Sequence, residues 1–181
     1  MRLIELIEWE ISRQDWAAMR CGCGDSAEHL APDLLRLADD RAVGEEANGA
    51  GFEEHVWSPV LLWEPAPAVT TVALAALADP IPPEVRHRFL DLLQHMVAGE
   101  GTDAASARRG LDLPERCRAL ARQGLWLLYE EVASGRSVSA AGTAFEILSV
   151  VEPDRERLRG VREAAGELLP VCCRTGLCDD W

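Results

Sequence analysis

Lysine is missing from this 181-residue chain, so all 18 of its basic side chains are arginine. Asn48 is its sole asparagine and Tyr129 its sole tyrosine. With Ala, Arg and Gly abundant, this is the coding bias of a high-GC genome, and the missing Lys carries no functional meaning. The chain also lacks a G-x-S-x-G, H-E-x-x-H, P-loop or metal-loop signature, which removes the enzyme classes those patterns identify. Gly99-Glu100-Gly101 follows a helical pattern rather than a strand, so it is no dinucleotide fingerprint. No segment shows strand alternation, which points to an all-α fold. Basic charge is scarce as well: 31 acidic residues face those 18 arginines, a net charge of −13. That balance repels phosphate and disfavours nucleic acid and anionic membranes as partners. It attracts and steers a basic protein.

What is present is a chain of ordinary apolar content, 48%, long enough for one domain that folds without disulfides. Acidic residues interrupt the apolar run MRLIELIEWE at the N-terminus, so it reads as neither a signal peptide nor a membrane span. The expected compartment is the cytoplasm, where thiols stay reduced. The six cysteines then read as core residues, metal ligands or reactive thiols rather than as three disulfides.

Helical spacing of Leu3, Ile4, Ile7 and Ile11 predicts a first helix, and the stripe Leu30, Leu34 and Leu37 a second, pairing as an N-terminal hairpin over 1–40. Residues 41–51 read as a mobile loop. Ser58-Pro59 has the form of a helix start, giving a short connector helix ended by Pro65. Helices follow from Pro67 to Ala78 and Pro83 to Ala98, then a second Gly-rich loop over 99–110. A long central helix is expected over 112–134, started by Asp112 with Glu115 three residues on. Its broad apolar arc includes Cys117, Ala121, Leu128 and Val132, and Trp126 stands opposite. Ser137 opens the next helix, Glu152-Pro153 turns the chain into a last one ending at Pro170, and a Cys-rich tail occupies 171–181.

Two stretches share a spacing. Asp79 is followed by Val85, Arg86, Phe89 and Leu93; Asp154 is followed by Val161, Arg162, Ala165 and Leu169. This resembles the HEAT-repeat consensus over roughly 66–98 and 138–169, with one extra residue in the second copy. The resemblance implies stacked antiparallel helical hairpins, a HEAT-like α-solenoid core over 58–170, and a concave face that binds partners. The helix over 112–134 falls between the matching hairpins and matches neither.

Candidate chemistry is scattered. His87, Asp91 and His95 recur at i, i+4 and i+8 on one helix, a spacing that two metal ligands can share but three cannot over two turns. The alternative is a solvated face with Asp91 paired to a neighbouring His. Cys21-x-Cys23 and Cys172-Cys173-x4-Cys178 supply thiolates for zinc or copper(I) if the chain ends meet, which an open solenoid would prevent. His55, after Glu53-Glu54, has the setting of a carboxylate-oriented general base without a nucleophile placed beside it.

The leading expectation is a non-catalytic protein-binding module that needs no cofactor, an acidic immunity, antitoxin-like or adaptor protein of a bacterium. Its anchors would be Trp126, Arg122, Tyr129, Trp57 and Trp63, because Trp, Tyr and Arg dominate interface energetics. Competing with it are a metal-binding or thiol-dependent protein built on the terminal cysteines, and a small enzyme using His55 or the His87 face.

Overall fold

The computed structural model describes residues 5–39, 41 and 50–177. The fold is mostly helical. Predictions that rest on Leu3, Ile4, most of the 41–51 loop and Cys178 lie outside the described residues.

Two helices that are apolar on nearly every side form the interior, as expected when a helix is wrapped by neighbours. In α3 (Ala66–Ala78) nine of 13 residues are buried, Val69, Val72, Ala73 and Leu77 among them. In α8 (Val138–Val151) nine of 14 are buried, including Phe145, Ile147 and Leu148. Between them lies α4 (Pro83–Ala98), which packs on both and buries Phe89, Leu90, Leu93 and Met96 completely. The N-terminal helices α1 (Leu6–Arg13) and α2 (Leu30–Ala38) cover this core from one side, α1 against α3 and α2 against α4. Asp79, at the α3–α4 turn, accepts the Ile7 amide at 3.1 Å and so satisfies an orphan donor in the first turn of α1.

The predicted central helix is two helices, and the centre of the fold is α4. The short helix α5 (Ala104–Arg108) precedes α6 (Leu113–Ala121), which is separated from α7 (Leu125–Ala133) by a 3-10 turn at Arg122–Gly124. Gly124, a weak helix former, lies against α3 at this point, where a Cβ would sit 2.4 Å from Leu74 Cδ2. The arc of Cys117, Ala121, Leu128 and Val132 is buried as its spacing predicts. Arginines tie this region to helix C-termini, where carbonyls lack intrahelical donors. Arg118 donates to Val97 O and Gly99 O, and Arg122 to Val151 O. A buried ion pair joins α4 to α7: Arg86 Nε donates to Glu131 at 2.8 Å, and Arg136 adds a second cation to the same carboxylate.

Residues 57–62 are not a helix. They form a hairpin of β1 (Trp57–Ser58) and β2 (Leu61–Leu62), with Trp57 opposite Leu62 and Ser58 opposite Leu61. Proline suits the second position of a tight turn as well as the first turn of a helix, and here Pro59 takes the turn. The stretch 99–103 runs beside β2 and exchanges backbone hydrogen bonds with Leu62 through Gly101 O and Asp103 N. Its glycines allow that approach, since a Cβ on Gly101 would lie 2.6 Å from Val60 O.

The last predicted helix also ends early. After α8, α9 (Arg155–Ala165) packs on α7, and Gly166 at φ +49° breaks it before α10 (Val171–Thr175). Among the described residues no helix is long and apolar enough to cross a membrane.

Candidate metal centre

Three pieces of non-helical chain meet beside α2. The first is Cys21-Gly22-Cys23-Gly24, folded into a tight turn in which Cys21 N donates to Asp25 O and Gly24 N to Cys21 O. Gly24 takes φ +96°, a conformation open to glycine and closed to most other residues. The second is the 3-10 turn Ala27–His29 leading into α2, which carries His29. The third is the segment before β1. There Glu54 holds a left-handed φ of +64° and His55 follows. Gly22 N donates to His55 O at 2.9 Å, locking the first piece to the third. Gly22 is the point of closest approach: a Cβ there would lie 2.1 Å from Glu54 O and 2.7 Å from the Trp63 ring.

The ligand atoms of Cys21, Cys23, His29 and His55 consequently lie within 4.8 Å of one another. Cys21 Sγ is 3.6 Å from His29 Nε2 and 3.1 Å from His55 Nδ1, and the two ring nitrogens are 3.0 Å apart. Two thiolates and two imidazoles are a usual zinc donor set, and tetrahedral zinc bonds set S to N spacings of about 3.6 Å and N to N spacings of about 3.3 Å. The Cys21, His29 and His55 donors are thus within about half an ångström of such a geometry, with Cys23 within 4.8 Å of each. Ser26 O, an acceptor only, lies 3.2 Å from His29 Nδ1, which places the proton on Nδ1 and presents the Nε2 lone pair to the cluster.

Electrostatics favour the same use at His55, whereas Cys21 has to be ionised by the metal itself. Burial lowers the pKa of His55, with the neighbouring His29 adding to the effect against the pull of Glu54, so its ring stays neutral and able to coordinate. Burial pushes the Cys21 thiol up to about 11. A Cys–His contact of 3.1 Å also raises the question of nucleophilic catalysis. A thiol that is 2% exposed and held protonated is the reverse of an activated nucleophile. A cleft of about 270 Å³ lined by Cys21, Arg20, Trp63 and Arg108 gives the cluster a path to solvent.

No protein-family model, curated protein or solved structure matches this chain. The site therefore stands on its own geometry.

The other candidate residues are distributed as follows. Among the described residues the cysteines of the two ends do not join one cluster: Cys21 and Cys23 gather with histidines, whereas Cys172 and Cys173 lie with Glu146 of α8. His87, Asp91 and His95 form no three-ligand group among the described residues. His95 Nε2 is 3.9 Å from Asp91, and its ring stacks on Trp57 with centroids 3.8 Å apart, so Trp57 is engaged within the fold. Trp63 packs against Gly22. Tyr129 is turned inward, its hydroxyl donating to the buried Glu152 at 2.6 Å, and Arg122 is held by Val151 O and Glu115. Trp126 alone of the five is strongly exposed, at 73%, braced by the Tyr129 ring and by Arg157 with 5.7 Å from guanidinium to ring centre. Sequence reasoning missed His29. Its signal was a His five residues after the C-G-C-G turn.

Proposed function

We propose that this protein is a zinc-holding, non-catalytic binding module. The observation that carries the proposal is the convergence of Cys21, Cys23, His29 and His55 on one point. Four protein donors fill a tetrahedral ion and leave no position for substrate, the hallmark of a structural rather than a catalytic zinc. The ion would fix the N-terminal segment, which supplies three ligands, to the segment that enters β1 through His55. Loading expels the Cys21 proton, since the thiol must ionise to coordinate.

The binding surface in this reading is the face around Trp126. An exposed indole held in place by Tyr129 and Arg157 has little freedom left to lose on docking. With a net charge of −13 the chain suits a basic protein partner, in an inhibitor-like or adaptor-like role. HEAT-like stacking of the helices belongs to the same proposal, on the spacing shared by the Asp79 and Asp154 segments.

Metal analysis of protein purified under reducing conditions tests the first half. Stoichiometric zinc that is lost in Cys21→Ser/Cys23→Ser, with a lowered melting temperature, supports it. A metal-free protein whose stability is indifferent to that double substitution would sink it. For the second half, affinity capture with wild-type and Trp126→Ala proteins should recover a basic partner with the former only; equal recovery rejects Trp126 as the anchor.

A further inference from the structure

We propose a second, more open metal centre on α8 and α10, formed by Cys172, Cys173 and Glu146. It is independent of the first and rests on different residues. Gly142 makes it possible. A Cβ there would lie 2.6 Å from the Pro170 ring, so the bare glycine lets the chain entering α10 lie directly on α8. Glu146 is one helical turn further along the same face of α8. The start of α10 is in this way delivered to Glu146, and the ligand atoms of all three residues lie within 4.8 Å of one another.

The two sulfurs are 3.9 Å apart. Zinc–thiolate bonds at the tetrahedral angle place two sulfurs about 3.8 Å apart, so both thiolates reach one ion with little movement. The Glu146 carboxylate, within 4.8 Å of both sulfurs, accepts a hydrogen bond from the Gln94 amide of α4. Such a partner is the usual means of orienting a ligating carboxylate. Two thiolates and one carboxylate suit zinc or cadmium, and each thiol releases its proton to solvent as the ion binds. Unlike the first centre, this one supplies three protein donors, and the fourth position is left to water or an exogenous ligand. Cys172 is only half-buried, and Glu146 also borders a groove of about 590 Å³ with Gln94, Arg118 and Arg122.

The test is a cobalt(II) titration of the reduced, metal-stripped full chain, following the thiolate-to-cobalt charge-transfer absorption. Two equivalents should bind. Cys21→Ser/Cys23→Ser should retain one, and Cys172→Ser/Cys173→Ser should retain the other. Cys173 is fully buried, so a variant that leaves the thiols in place is included. Glu146→Gln should weaken the second equivalent at least about tenfold and leave the first untouched, by analogy with the cost of losing a group that supports a metal ligand. A full second equivalent in the Cys172→Ser/Cys173→Ser protein, a single wild-type equivalent that this double substitution leaves in place, or a second equivalent indifferent to Glu146→Gln would each overturn the proposal. Loss of the first equivalent alone would count against the Cys21 centre and leave this one standing.

Discussion

Gly22→Ala is the smallest change that should disable the first metal centre. The added carbon would stand 2.1 Å from the backbone oxygen of Glu54, and Trp63 closes the other side at 2.7 Å. A contact of this kind relaxes to at least about 3 Å, so the Cys21–Cys23 turn and the Glu54–His55 segment must separate by roughly 0.9 Å. Metal sites tolerate ligand displacements of about 0.2 Å. The separation also stretches the 2.9 Å bond from Gly22 N to His55 O that holds these pieces in register. A loss of about 10- to 100-fold in zinc affinity follows, equivalent to about 1.4–2.7 kcal/mol. Competition of the apoprotein against a chromophoric zinc chelator measures it. Gly51→Ala is the control, because a Cβ there meets nothing within 4 Å. Zinc affinity equal to wild type in Gly22→Ala would refute the idea that this contact sets the ligand geometry.

The remaining predictions concern proton linkage, the buried ion pair and the exposed indole. Because the Cys21 thiol is raised to about 11, it remains protonated at neutral pH and must be ionised by the metal. Zinc affinity should therefore rise at least about tenfold per pH unit between roughly pH 7 and 8, and a pH-independent affinity would show that Cys21 is not a ligand. The lowered pKa of His55 acts in the same direction on the stability of the apoprotein. Unfolded His55 takes up a proton near pH 6.5 while the folded ring resists, so apoprotein stability should fall as pH drops below that point, readable in urea melts across pH 5–7. Arg86→Met removes one of the two cations held by Glu131, which is 2% exposed, and should cost about 3 kcal/mol, toward the low end for a broken buried pair because Arg136 remains. Adding Glu131→Leu should recover much of that loss in thermal melts; no recovery would mean that packing, not the stranded charge, set the cost. Trp126→Ala should lower stability by no more than about 1 kcal/mol, since the side chain is 73% exposed and its ring contacts with Tyr129 and Arg157 lie at the surface.

The helices were legible where burial follows period. The stripe of α2 and the arc of Cys117, Ala121, Leu128 and Val132 lie inside as their spacing requires. Misreadings arose where one residue type serves two geometries. Pro59 opens a hairpin turn rather than a helix, and the glycines at 99 and 101 permit close packing against Leu62 and Val60 rather than forming a loose loop. Gly124 divides a pattern that looks continuous, at a point where Leu74 of a distant helix packs against it. The metal centre was half legible. Cys21 and Cys23 declared themselves as a pair and His55 as an isolated base, but what unites them is a backbone bond from Gly22 to His55 across 33 positions of sequence. Likewise Cys172 and Cys173 were visible as thiols, whereas Glu146 belongs with them only because Gly142 admits Pro170. Tertiary closure of this kind leaves no period and no short motif in the chain.

The central claim is that Cys21, Cys23, His29 and His55 hold one zinc ion. X-ray absorption at the zinc edge tests it most directly, on the Cys172→Ser/Cys173→Ser protein so that the other thiol pair is silent. Two sulfur scatterers at about 2.3 Å and two nitrogen scatterers at about 2.0–2.1 Å are expected. A shell made only of nitrogen and oxygen, or no bound zinc at all, would contradict it.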